Sequence, residues 1–146
     1  MVSFRFAILR HQMSADSGRI LHWDLLLEKP TGFGEKLLTF AAPTPPEEWG
    51  NATVVQQLPD HRPLYLDYEG PVSGSRGSVM RVLSGTIQWR EFSAKSLIAA
   101  VQSSGIPALE NKVHIEQGEL RLRKLTDHPN DGSQWELALC DSLILG

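Results

Sequence analysis

The sequence predicts a mainly β fold: a compact single-domain β-barrel with one or two short flanking helices. Three observations carry this expectation. Short segments alternating between apolar and polar residues recur along the chain, and a period of two marks a strand with one buried face. Turn-forming clusters separate them, as in Lys29-Pro30-Thr31-Gly32-Phe33-Gly34 and Asp127 to Ser133. One segment alone, after Ser93, shows helical spacing. Many short strands with little helix imply a closed or strongly curved sheet.

Taken in order, Val2 to Arg10 sets Phe4, Phe6 and Ile8 against Arg5, Ala7 and Leu9 and reads as a strand. Leu21 to Glu28 is the second, with Leu21, Trp23, Leu25 and Leu27 on a core face and His22, Asp24, Leu26 and Glu28 on the other. Glu35 to Ala42 is a third. The run Pro43-Thr44-Pro45-Pro46 excludes a central strand, since proline donates no ladder hydrogen bond. Thr44 is placed to cap one helical turn over Pro45 to Trp49. Strands are expected at Val54 to Leu58 and Leu64 to Tyr68. Gly70 to Gly77 is a loop, followed by strands at Ser78 to Leu83 and Thr86 to Phe92 with a turn at Ser84-Gly85. Ser93 is a suitable N-cap. Leu97, Ile98 and Val101 then predict a helix that Gly105 and Pro107 stop. Val113 to Ile115, Glu119 to Leu125 and Trp135 to Cys140 complete the strands.

At 146 residues one domain, spanning 1–146, is the default. Hydrophobic residues make up 41% and charged residues 21%, with a net charge of −3 and a pI of about 5.9. These values argue against a protein held to nucleic acid by bulk charge, while leaving room for a local phosphate-binding patch. Cys140 is the single cysteine, so an internal disulfide and a multi-cysteine zinc site are excluded. No apolar run approaches the roughly 20 residues needed to span a bilayer. The N-terminus lacks a signal-peptide layout, so the expected location is cytoplasmic and no membrane partner is expected.

Three constellations could carry chemistry. His22 and Asp24 share one strand face, and His11 precedes a polar loop from which it could join them. Two imidazoles and a carboxylate leave open positions on an ion, a pattern that suits a catalytic divalent metal such as Mn²⁺ or Zn²⁺. A chance His-x-Asp pair on a solvated face is the plain alternative. In the second, His61 precedes Tyr65, a plausible general acid or phosphate ligand beside a polar strand face, against the alternative of a surface loop histidine. The third is Arg76 in the Gly/Ser loop Gly70 to Ser78, which could approach a phosphate closely but matches no phosphate-loop spacing, so it reads as a plain hairpin connection. Glu28 and Glu69 could orient a ligand histidine or simply be solvated. His114 reads as structural, Cys140 in the last apolar strand as core, and His128 as a turn residue.

The order of these pieces resembles the 3'-phosphoesterase domain of bacterial DNA ligase D and its stand-alone relatives. The carrying residues are Arg10-His11, then His22-Trp23-Asp24-Leu25-Leu26-Leu27-Glu28, then Asp60-His61 with Tyr65. Asp67-Tyr68-Glu69-Gly70 and Gly77-Ser78-Val79 follow. Phe40-Ala41-Ala42-Pro43 and Gly118-Glu119-Leu120-Arg121-Leu122-Arg123 continue the track, so the resemblance runs from about Phe4 to Leu139. It implies a β-barrel with an active-site groove that processes DNA or DNA/RNA 3' ends, removing a terminal ribonucleoside and then a 3'-phosphate. It implies manganese as cofactor, DNA-repair proteins as partners, His11, His22 and Asp24 as metal ligands, and His61 and Tyr65 as the catalytic groups at the scissile phosphate.

The chain departs from this pattern at three places. Leu26 stands where the family has a phosphate-clamping arginine, Thr44 where it has a lysine, and Arg62 where it has a proline; the His11–His22 connection is also longer. Leucine cannot form the bidentate contact that arginine makes with phosphate. Arg62, Arg76 or Arg19 could supply the missing charge from another position. Alternatively, the barrel keeps the metal pocket as a binding module of a repair assembly or hydrolyses another phosphoester.

Overall fold

In the computed structural model, residues 2–14, 21–72, 76–103, 113–115, 117–126, 132–140 and 143–145 are described. The strands are β1 (Phe4–Gln12), β2 (His22–Leu27), β3 (Leu37–Ala42), β4 (Thr53–His61), β5 (Gly70–Pro71), β6 (Ser78–Phe92), β7 (Ser96–Ser103), β8 (Val113–Ile115), β9 (Gly118–Thr126), β10 (Gln134–Cys140) and β11 (Leu143–Leu145). Eight of them close on themselves in the order β1-β2-β3-β4-β10-β9-β7-β6, with β6 returning to β1 and the short β5 appended to β6. Every pairing is antiparallel. Closure satisfies both edges of each barrel strand, which an open sheet leaves exposed. β8 and β11 form a separate two-stranded pair. The predicted β-barrel is thus the fold, flanked by two 3₁₀ turns, Pro46–Glu48 and Pro63–Leu66. Among the described residues no helix is long and apolar enough to cross a membrane.

The barrel interior is the main core. Phe6, Ile8, Leu25, Leu27, Phe40 and Trp135 belong to it, so the predicted core faces of β1 and β2 are those turned to the barrel interior, while Ala7, Leu9, Asp24 and Leu26 on the opposite faces are buried as well. Trp49, fully buried, enters the same core from the first 3₁₀ turn. Its ring nitrogen donates to the Thr44 carbonyl at 2.9 Å, and the Leu139 amide donates to the Trp49 carbonyl at 2.9 Å.

Three predicted elements are corrected. The helix after Ser93 is the strand β7, whose Leu97, Ala99, Val101 and Ser103 are buried while Ser96, Ile98, Ala100 and Gln102 are less so. A period of two lay beneath the apparent helical spacing, and pairing with β6 and β9 overrides the local propensity. Ser93 keeps a capping role in the turn: its hydroxyl oxygen accepts the Ser96 amide at 3.1 Å. The turn expected at Ser84-Gly85 is absent, because β6 runs unbroken through it. Gly85 is needed there because a Cβ would lie 2.1 Å from the Gln102 carbonyl oxygen on β7. The strand expected at Leu64 to Tyr68 is the second 3₁₀ turn, since Pro63 occupies its first position and removes a ladder donor. Cys140 is also not a core residue; it is half-buried on the face opposite Leu137 and Leu139.

The second 3₁₀ turn covers part of the barrel's outer wall. Beneath it Ala7, Leu9, Leu26, Leu37, Leu66 and Val79 form a second buried cluster, with Tyr65, Tyr68 and Val72 packed against it. Arg5 on β1 holds the turn through a bidentate pair with Asp67, Nη1 to Oδ2 at 3.1 Å. Arg81 adds a hydrogen bond to the Leu66 carbonyl at 3.2 Å. Arg5 is raised and Asp67 lowered from their ordinary pKa values, chiefly by this mutual hydrogen bond.

Candidate metal centre and phosphate cavity

The site lies on the outer wall of β1 and β2, beside the second cluster. Antiparallel register sets His11 directly opposite His22, and Leu9 opposite Asp24. All three polar side chains share one face, as the alternation required. His11 Nδ1 is 3.1 Å from Asp24 Oδ2, and His22 Nδ1 is 2.8 Å from Asp24 Oδ1. The potential ligand atoms of the three residues lie within 4.8 Å of one another. Asp24 is 2% exposed.

The proton positions follow from the partners. His11 Nε2 donates to the Arg76 carbonyl at 2.7 Å, and a carbonyl can only accept. The His11 Nδ1 facing Asp24 is therefore either protonated, as imidazolium, or offers its lone pair toward the carboxylate, where a cation between them would remove the repulsion. His22 Nδ1 and Asp24 Oδ1, although close, are misaligned, and both are buried without a hydrogen bond. Such orphaned atoms call for an explanation, a bound ion being one. The donor set of two imidazoles and one carboxylate fits a divalent cation, and the Arg76 carbonyl would fix the tautomer of its ligand His11.

The hydrogen bond to Asp24 raises the His11 pKa above the ordinary 6.5, against the opposing effect of burial. Burial works against ionising Asp24, yet the contacts with His11 and His22 hold its pKa below the ordinary 3.8. The metal-free protein therefore has two limits. Stability contributed by Asp24 is lost as pH falls through its depressed value, and that contributed by His11 is lost as pH rises above 6.5 through its raised value. Thermal melts in chelator are expected to peak between these limits. If the trio holds a divalent cation, added Mn²⁺ would take the place of the proton on His11 and remove the alkaline decline. An alkaline decline of equal size with and without Mn²⁺ would reject that role.

A cavity of about 420 Å³ adjoins the trio. His61, Arg62, Tyr65 and Arg76 line it together with His11, His22 and Asp24, so the three predicted constellations share one space. His61 ends β4, and its Nδ1 donates to the Pro59 carbonyl at 2.9 Å. Its ring meets the Tyr65 ring edge-on at 5.7 Å, and the Arg62 guanidinium sits 5.8 Å from the Tyr65 ring centre. Arg19 lies outside the described residues, as do the side chains of His114 and His128. Glu28 and Glu69 do not touch the histidines: they accept the backbone amides of Arg5 and Arg81. The orienting Arg76 and Pro59 carbonyls were not legible in the sequence, because a backbone acceptor carries no residue signature.

Gly77, next to Arg76, has φ +81°, and a Cβ there would lie 2.0 Å from the Gln12 carbonyl oxygen. Gly77→Ala is expected to cost at least about 1–3 kcal/mol from backbone strain. By displacing the Arg76 carbonyl it is also expected to weaken Mn²⁺ binding about 10–100-fold. Denaturant unfolding and a Mn²⁺ titration measure the two effects. The chain matches no protein-family model and no curated protein sequence.

Proposed function

We propose that this barrel is a divalent-metal-dependent phosphoesterase acting on nucleic-acid 3' ends, with manganese as the ion. The observation that carries the reading is the convergence of His11, His22 and Asp24 with His61, Tyr65, Arg62 and Arg76 on one cavity. The resemblance to ligase D phosphoesterases, carried by the order of the motifs that hold these same residues, supports it as well. A cation held by the trio would supply Lewis acidity toward the phosphoryl group. The chain's own groups do the rest. Arg62 and Arg76 flank the cavity and bind the phosphate, replacing the charge that Leu26 and Thr44 lack. With Nδ1–H committed to the Pro59 carbonyl, His61 exchanges its proton at Nε2, delivering it to the leaving oxygen. Tyr65 holds the His61 ring in place.

The test is incubation with Mn²⁺ and a primer-template ending in a 3' ribonucleotide or a 3'-phosphate. Release of the nucleoside and then of phosphate is expected. Arg62→Ala and Arg76→Ala are each expected to lower kcat/KM, leaving Mn²⁺ affinity unchanged for Arg62→Ala. A folded, Mn²⁺-loaded protein that releases neither product rejects 3'-end hydrolysis. Leu26 favours a second reading, in which the protein binds ends without turnover: its side chain is wholly buried and cannot be exchanged for a clamp. Binding of the same primer-template without product supports that reading. A panel of other phosphodiesters and phosphomonoesters separates both from a hydrolase of a different phosphoester.

A further inference from the structure

A second cavity, of about 320 Å³, opens where one end of the barrel meets solvent. Leu38, Leu97 and Trp135 form its apolar floor, and Phe33 and Phe92 its aromatic wall. Phe33 projects from the β2–β3 loop and is 58% exposed. Its ring is held against Phe92 at 4.8 Å, and Phe92 in turn meets Trp89 edge-on at 5.0 Å. An exposed aromatic ring packed on Phe92, which is itself packed on Trp89, offers a stacking surface, and Phe33 belongs to neither apolar core cluster. Two ammonium groups, Lys29 and Lys124, line the cavity against one carboxylate, Asp60. Lys124 sits 5.8 Å from the Trp135 ring centre, and Lys29 pairs with Asp60. Asp60 lines the phosphate cavity as well, so the two spaces adjoin at that residue.

We propose that this barrel mouth is a nucleobase-stacking subsite for the strand whose 3' end occupies the phosphate cavity, with Phe33 as its platform. The proposal rests on the nucleic-acid reading above and extends it by a second contact. Every base offers a π face, so stacking on Phe33 is tolerant of sequence. The cavity lies at the lower end of the range for small-ligand sites, about 300–1,000 Å³, which suits one base rather than a duplex. Lys29 and Lys124 stand at the same cavity, on the side where the backbone phosphate that accompanies the base would run. This arrangement lets an acidic protein hold a strand without a broad basic surface.

The experiment compares 3'-phosphorylated mono- and tetranucleotides, in Mn²⁺, on the wild type, Phe33→Ala and Phe33→Trp. The wild type is expected to bind the tetranucleotide more tightly. Phe33→Ala is expected to weaken tetranucleotide binding about five- to thirtyfold and leave the mononucleotide unchanged, with Phe33→Trp restoring the difference. A tetranucleotide whose upstream bases are replaced by abasic sites is expected to bind like the mononucleotide. An undiminished tetranucleotide preference in Phe33→Ala overturns the subsite while the phosphoesterase reading stands. Equal loss for both ligands also overturns it, since Phe33 would then act on the phosphate cavity. If the wild type binds neither ligand, the nucleic-acid reading falls and the subsite with it.

Discussion

Asp24→Asn is expected to weaken Mn²⁺ binding by more than about a hundredfold, beyond the cost of losing an outer-sphere partner. The carboxylate is buried, and each oxygen lies beside a different imidazole. It is the one anionic group of the trio. Asparagine keeps the shape but removes the charge and turns one oxygen into a donor facing an imidazole. The proposed phosphoesterase activity is expected to fall in parallel. His22→Ala is expected to act in the same direction while leaving β2 paired on both sides, because its side chain is not part of either apolar cluster. Mn²⁺ titration followed by electron paramagnetic resonance, with a thermal melt as control for folding, measures the effect. Wild-type affinity in a folded Asp24→Asn protein would remove the trio from consideration as a metal centre.

Leu26→Arg is expected to destabilise the fold by several kcal/mol rather than restore a phosphate clamp. Leu26 is fully buried among Ala7, Leu9, Leu37, Leu66 and Val79. A guanidinium there would lose its hydration with no carboxylate partner in that cluster. Since a domain of this size is stable by about 5–15 kcal/mol, the loss takes a large share of the total. Leu26→Ala is the milder probe. It is expected to cost about 2–5 kcal/mol through the cavity it leaves. Both changes loosen the Pro63–Leu66 turn, which rests on this cluster through Leu66 and carries Tyr65. Activity is therefore expected to fall even at temperatures where Leu26→Ala remains folded. Denaturant unfolding combined with kcat/KM below the melting transition checks both parts. A Leu26→Arg protein with wild-type stability and tighter phosphate binding would show that the second cluster can open to admit a clamp.

The sequence by itself determined the barrel class, the strands β1 to β4, and the shared face of His22 and Asp24. These depend on alternation, a local signal that a two-residue period imposes directly. It also placed His11 just before a polar loop, whereas His61, expected in a loop ahead of a strand at Leu64, instead ends β4 ahead of a 3₁₀ turn. Tertiary structure alone decided the rest. Ser96 to Ser103 became a strand because β6 and β9 offer ladder partners on both sides, a long-range effect that outweighs the helical propensity of Ala99 and Ala100. Gly85 serves close strand approach rather than a turn because the Gln102 backbone lies against it. Leu26 shares the face of His22 and Asp24, as the alternation required, yet is buried because Pro63 folds the following residues into a turn over that face. Alternation fixes which side of a strand a residue occupies. What covers that side is set by segments distant in sequence, and only the closed barrel brings them there.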